Sequence, residues 1–466
     1  MTRVEQLAGF VTSASFNQLS SKAREQLKSC VLDALGCALG ALAAEPIHLI
    51  RGQVEEFDGA SLCTLIGGGG TAPDRAAFYN GALVRYLDFN DSFLAPGETC
   101  HPSDNLSPVL AAAEYAGCSG RELLAALAVA YQIQCRLSEV APVRDKGFDH
   151  TTQGAYAVAG GVAKALGLTS AQTANAIAIA GTAFNALRVT RTGALSHWKG
   201  LAYPNTAFGA THAAFLARRG ITGPLEVFEG NKGFVESVAG PFELDWSKED
   251  LEKVTQVILK KYNAEVHSQS AIDALLELKK EHPFTAPEVE SIELETFAVA
   301  HNIIGGGEEG DKTVVHTKEQ ADHSLQYILA TAILDGQVMP EQYLPERIQR
   351  PDVQKLLRKV FVHPSAELSR RFPDQMPIRL QVHLHGGRVL KREQNDYEGF
   401  RTRPMSWQAV VKKFERLSYA VSTAGLRRQI QQAVANLDQI SVKELTRLLA
   451  QLRLGSASMH EQRRAA

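Results

Sequence analysis

The order of patterns along this chain predicts an α+β domain inserted into an all-helical one. Three observations carry that expectation. Apolar residues recur at helical spacing through nearly all of the first half. An alternating, β-branched pattern with a Gly-Gly turn appears only after about residue 283. Helical spacing then returns from Ser406. A chain of 466 residues suits two domains.

Taken in order, residues 21–43 place Val31, Leu35, Ala38 and Leu39 at helical spacing. Cys30 and Cys37, seven apart, fall on one face of that stretch and read as buried free thiols. Thr64-Leu-Ile-Gly-Gly-Gly-Gly70 invites a phosphate-loop reading, but no Gly-Lys-Ser/Thr follows, so it reads as a flexible turn before a helix at 73–87. Ser119 and Glu122 form a capping box ahead of a helix over Leu123–Val140. Residues 154–166 are rich in Gly and Ala, which lets helices approach closely, and a further helix follows at 170–181. Pro204 suits the first position of a helix ending near Gly220. Ser247 and Asp250 repeat the capping pattern before Leu251–Leu259. Beyond residue 283, Val289–Val299 and Ile378–Leu384 alternate, Gly386-Gly387 turns, and the alternation resumes at Val389. Lys359–Val362 predicts a short strand and Asp322–Leu334 a helix.

Composition removes several function classes. Charged residues are 21%, the formal net charge is −2, and no long basic or acidic block occurs. That argues against nucleic-acid and membrane-surface partners. No apolar run reaches bilayer length, and the first residues lack a secretory pattern, so a cytoplasmic protein is expected. None of the six cysteines forms a C-x-x-C pair, there is no H-E-x-x-H, and no cysteine triplet suits an iron–sulfur cluster. No metal and no cofactor are therefore expected. His383 and His385 share one face of a predicted strand, but read as ordinary strand residues. The loop Gly305-Gly-Gly-Glu-Glu-Gly310 reads equally as a gate or a plain surface loop.

Polar residues gather where helices begin. Asp88, Asp91 and Ser92 would share a face on a helical extension of 82–87. His101-Pro-Ser103, Asp149-His150-Thr151-Thr152 and His197-Trp198-Lys199 each precede a helix. Unpaired N–H groups and a partial positive charge at helix starts suit a carboxylate. Three such starts with a His or Lys beside them point to one anion site. Each also has a plain reading: the histidines and hydroxyls as caps, Asp88 and Lys199 as solvated charges, Arg188 and Arg191 as loop residues.

Leu87-Asp-Phe-Asn-Asp-Ser92 followed by His101-Pro-Ser103 resembles a hallmark of the 2-methylcitrate dehydratase/cis-aconitate decarboxylase family, the MmgE/PrpD family. Trp198-Lys-Gly200, Asp322-His-Ser-Leu-Gln-Tyr327, Tyr397-Glu-Gly-Phe400 and Thr402-Arg-Pro-Met-Ser-Trp407 extend the likeness over nearly the whole chain. The last segment is most similar to the bacterial dehydratase branch. The resemblance implies a large helical domain from both chain ends (1–266 and 401–454) and a smaller α+β lid domain (267–400); the polar run from Gly455 predicts a flexible tail at 455–466. The resemblance also implies an active site between the domains, a homodimer, and no metal. By matching position it assigns Asp88, Ser92, His101, His150, Lys199 and Tyr327 to the site. Lys260, Lys261, His267 and Arg188 join them as candidate substrate-binding residues, with His267 displaced from where decarboxylase-like relatives carry an imidazole.

The implied chemistry is dehydration of a small polycarboxylate. A proton leaves the carbon α to a carboxylate and the neighbouring hydroxyl departs as water, which needs a base, an acid and charge stabilisation. His101 and His150 are expected to move protons, with acid and base roles open. Asp88 is expected to orient an imidazole or bind the hydroxyl, Ser92 and Tyr327 to donate hydrogen bonds, and Lys199 with Lys260 or Lys261 to offset substrate charge. An epimerase or isomerase of a dicarboxylate and a cis-aconitate decarboxylase fit the same residues. A helical binding scaffold is the non-enzymatic alternative.

Overall fold

A computed structural model of the chain describes residues 1–57 and 59–453. The segment 455–466, expected to form a flexible tail, lies outside the described residues. The fold is mostly helical with small sheets. It divides into two compact units. The first holds Met1–Thr190, Gly200–Val257 and the chain from Ser406 on; the second holds Arg191–Lys199 and Ile258–Met405. Among the described residues no single helix is long and apolar enough to cross a membrane.

In the first unit, helix starts follow local sequence. Thr2 and Glu5 box the Arg3–Ser13 helix, Ser119 and Glu122 box Gly120–Val140, and Thr169 with Gln172 box Ser170–Ala183. Cys30 and Cys37 lie buried on the Ser21–Ala41 helix, and all six cysteines are free thiols. Gly67, Gly68 and Gly69, all at positive φ, turn a short hairpin between Cys63–Thr64 and Gly70–Thr71. The small residues of the Thr151–Ala165 helix set its packing distance. A Cβ on Gly161 would lie 2.8 Å from Val109 and 2.9 Å from Ala130, too close for either neighbour to stay where it is. The Trp407–Ser418 helix lies against Ser21–Ala41, where Lys413 Nζ sits 2.7 Å from Asp33 Oδ1 and donates to the Phe89 carbonyl at 2.7 Å.

Two local expectations are corrected. Leu251–Leu259 is not an α-helix: short 3₁₀ turns occupy Trp246–Lys248 and Lys253–Gln256, and Leu251 adopts φ +66°. Asp245, rather than Ser247, caps the first of them. Tertiary partners compete there with the helical ladder: the Lys253 N–H donates to Gln132 Oε1, and the Glu252 carboxylate accepts from Ser20. Pro204 stands inside the Trp198–Arg218 helix, not at its start. A ring so near the N-terminus removes only one ladder bond, which the earlier start accommodates.

The second unit carries a four-stranded sheet. Val289–Thr296 pairs in parallel with Val360–Pro364 and antiparallel with Ile378–Leu384, which turns at Gly386-Gly387 into Val389–Gln394. Alternate residues Ile378, Leu380, Val382 and Leu384 face a core shared with Leu275, Ile328 and Leu329 of the Gln269–Glu281 and Leu325–Asp335 helices.

Candidate active site

The helix preceding the Asp88–Ser92 loop ends at Tyr86, and Asp88 takes φ +54°, so the expected helical extension does not form. The Asp88 carboxylate instead closes onto Arg85 at 2.6 Å, within the buried network that also holds Asp104 and Asn90. What unites the loop with His101 is a hairpin: Phe93 pairs with Cys100 and Ala95 with Glu98, which returns the chain beside Ser92. Ser92 Oγ then lies 3.1 Å from His101 Nδ1, and the Asp91 carbonyl 2.7 Å from the same nitrogen. A carbonyl oxygen only accepts, so His101 Nδ1 carries its hydrogen and Nε2 is the basic position of the neutral ring.

His150 stands at the start of the Thr151–Ala165 helix, with its ring edge-to-face to His101 at 5.4 Å between centroids. On its other side Tyr203 stacks at 6.1 Å, and the Tyr203 hydroxyl donates to Asn105 Oδ1 at 3.0 Å. Gly154 makes room for that phenol, since a Cβ there would lie 2.5 Å from the Tyr203 ring. His150 Nε2 is 3.8 Å from Asp149 Oδ1, whose other oxygen is 3.7 Å from Arg188 Nη1. The first unit thus brings together Ser92, His101, His150 and Arg188, with Asp88 on the same loop as Ser92.

Two buried carboxyls in this unit were given no role by sequence reasoning. Asp91 accepts from Ser103 N–H at 2.9 Å, Ser103 Oγ–H at 2.7 Å and Tyr131 Oη–H at 2.8 Å. Burial pushes its carboxyl up to about 6, against the lowering effect of those bonds. Glu98, on the hairpin, accepts from the Val143 and Arg144 N–H groups; burial raises it to about 7. Asp91 had two signals, its spacing from Asp88 and Ser92 and the quoted hallmark, though neither gave it a role. Tyr203 had none, because nothing local distinguishes it from a core tyrosine.

In the second unit Lys199 lies in the first turn of its helix. Its Nζ is 3.1 Å from Asp322 Oδ1 and 3.0 Å from His323 Nδ1, and Lys318 Nζ meets the other Asp322 oxygen at 2.6 Å. Burial works to raise the Asp322 carboxyl, but Lys199, Lys318 and His323 outweigh it and hold it well below the usual carboxylate range. Asp322 and His323 came from the quoted Asp-His-Ser-Leu-Gln-Tyr segment, which had directed attention to Tyr327 instead. Tyr327 is fully buried, packs beside Tyr343, and donates its hydroxyl to the Gln342 carbonyl. Lys261 Nζ lies 2.8 Å from Asp273 and 3.5 Å from Glu398, which neutralise it. Lys260 is buried, and its charge helps to hold Glu265 ionised. His267 is buried against Glu265. A groove of about 1120 Å³ along Phe10 and Trp246 carries none of the candidate residues.

Buried imidazoles paired with carboxyls, and a lysine held by an aspartate, are the equipment of a protein that moves protons on an anionic ligand. The chain belongs to the MmgE/PrpD family: the family's N-terminal domain matches residues 5–247 and its C-terminal domain residues 262–439. It is 29% identical to the mitochondrial 2-methylcitrate dehydratase of Yarrowia lipolytica, over 85% of this chain and 80% of that one. It is 29% identical to the 2-methylcitrate dehydratase of Escherichia coli K12, over 79% of each, and 25% identical to the cis-aconitate decarboxylase of Mus musculus, over 88% and 85%.

Proposed function

We propose that this protein is a hydro-lyase that dehydrates 2-methylcitrate to 2-methyl-cis-aconitate by acid–base elimination. The observation that carries the reading is the contact of His101 with His150, rings 5.4 Å apart, because elimination needs one group to take a proton and another to give one. His101, with its hydrogen fixed on Nδ1 by the Asp91 carbonyl, is assigned as the base through Nε2. His150, beside Asp149, is assigned as the acid that protonates the departing hydroxyl. The proton leaves the methyl-bearing carbon for His101, the electron pair forms the double bond, and hydroxide departs as water with the His150 proton.

Ser92 and Asp88 position these groups. Lys199, with Lys260, offsets the charge of a tri-anion, Arg188 and His267 bind substrate, and Tyr327 acts as scaffold for the Leu325–Asp335 helix. The reading needs no metal, since imidazoles supply both proton steps. It also makes the protein a cytoplasmic homodimer whose α+β segment, 267–400, interrupts a helical domain of 1–266 and 401–454.

Support comes from relatives named 2-methylcitrate dehydratase that align over most of both chains. The test is to incubate purified protein with 2-methylcitrate, cis-aconitate and a chiral dicarboxylate, following product absorbance and solvent deuterium uptake. Formation of the conjugated tricarboxylate supports the proposal. Deuterium uptake without water loss marks an epimerase, and carbon dioxide release from cis-aconitate marks a decarboxylase; either outcome replaces it.

A further inference from the structure

One acid–imidazole pair in the second unit is more tightly built than a binding contact requires. Glu265 and His267 flank Val266 at the start of the Val266–Ser268 turn. Glu265 Oε1 lies 2.7 Å from His267 Nδ1, and Oε2 accepts the His267 backbone N–H at 2.8 Å. Both oxygens of one carboxylate are therefore engaged by a single residue. The imidazole is further fixed against the stacked pair Phe297 and Phe372, each 5.6 Å away between ring centroids. The Glu265 N–H donates to the Asp322 carbonyl at 3.1 Å, which ties the pair to the backbone that also carries the Lys199 partner.

The other ring nitrogen, His267 Nε2, is buried and has no hydrogen-bond partner among the described residues. Leaving a buried ring nitrogen unsatisfied costs free energy, so its persistence points to a ligand atom that completes it. A carboxylate only accepts, so Nδ1 carries the hydrogen and Nε2 is the nitrogen that a ligand meets. We infer that Glu265 is a positioning residue: it fixes the ring and tautomer of His267 so that Nε2 hydrogen-bonds the hydroxyl group of the substrate. The identity of that ligand rests on the dehydratase reading; the hold of Glu265 on His267 does not. Burial works to raise the Glu265 carboxyl, but His267, then His323 and Lys260, outweigh it and keep it at about 2, so it remains an anionic acceptor at neutral pH.

The test uses full-length protein labelled with ¹⁵N-histidine, comparing wild type, Glu265→Ala and Glu265→Gln, with the His267 signal identified by its loss in His267→Asn. Wild type should show the Nδ1–H tautomer. Glu265→Ala should shift it toward the Nε2–H form that neutral imidazole prefers in water, while Glu265→Gln, whose amide oxygen still accepts, should retain it. Turnover of 2-methylcitrate should fall roughly 10- to 100-fold in Glu265→Ala, the scale seen when a partner that orients an imidazole is lost, and less in Glu265→Gln. If Glu265→Ala does not fold, Glu265→Asp, which pulls the carboxylate back, takes its place. An unchanged tautomer, or wild-type turnover in the alanine variant, overturns the inference. A wild-type protein inert toward 2-methylcitrate refutes the dehydratase reading instead, and the tautomer comparison still decides the role of Glu265.

Discussion

Replacing Asp91 by Asn should make the first unit more stable near neutral pH, and by an amount that depends on pH. The carboxyl is fully buried and pushed up to about 6. In the unfolded chain it titrates near ~3.9. Below pH ~3.9 both states hold the proton and the group contributes nothing. Between that pH and about 6 the unfolded chain releases its proton while the folded one keeps it, so stability falls as pH rises. The window spans about two pH units, which at ~1.36 kcal/mol each makes a loss of about 3 kcal/mol, complete above pH 7. Asn has the same shape, offers an oxygen to Ser103 and an amide to the Tyr131 oxygen, and does not titrate. Glu98 titrates in both proteins and cancels in the difference. Urea unfolding in a Trp198→Phe background leaves Trp246 and Trp407, both in the first unit, as reporters. The stability of Asp91→Asn relative to its parent should rise by about 2.4 kcal/mol between pH 4 and pH 7.5, since about 0.5 kcal/mol is already lost at pH 4. A difference flat over that range would refute the reasoning, because it would mean that burial does not perturb this carboxyl.

Four further outcomes are expected. His101→Ala should lower turnover by roughly a hundredfold or more, and a variant with near-wild-type kcat removes His101 from the mechanism. Lys199→Met should reduce kcat/KM, yet destabilise by less than the ~3–5 kcal/mol usual for breaking a buried pair, since Lys318 still holds Asp322 at 2.6 Å; chemical denaturation separates the two effects. Gly154→Ala should cost about 1–3 kcal/mol through the Cβ placed 2.5 Å from the Tyr203 ring, and the same change made in a Tyr203→Ala background should cost much less in thermal melts. Exhaustive treatment with a chelator should leave dehydration unchanged; loss of activity that returns with added metal contradicts the imidazole-only mechanism.

Local signals in the sequence decided a great deal. Capping boxes at Ser119 and Thr169, the Gly386-Gly387 hairpin and the alternation of Ile378–Leu384 act within a few residues, so the corresponding elements form where the pattern places them. Family membership was legible for a similar reason: the Asp88–Ser92 and His101–Ser103 segments are contiguous strings. The expected helix at Leu251–Leu259 failed because its backbone donors found partners on other elements, Gln132 among them, which no window around residue 255 contains.

The candidate chemistry depended still more on tertiary structure. Sequence alone supplied the residue types, two imidazoles, an aspartate and a lysine, and the segments that hold them. Only the fold decided that the Phe93–Cys100 hairpin returns His101 to Ser92, that Asp91 is sealed from water and holds its proton to about pH 6, and that Tyr327 faces Gln342. It also decided that Lys199 meets Asp322 across a sequence separation of 123. The physical reason is range: caps, turns and periodicity act over a few bonds, whereas burial and charge pairing are set by whatever the rest of the chain packs against each group.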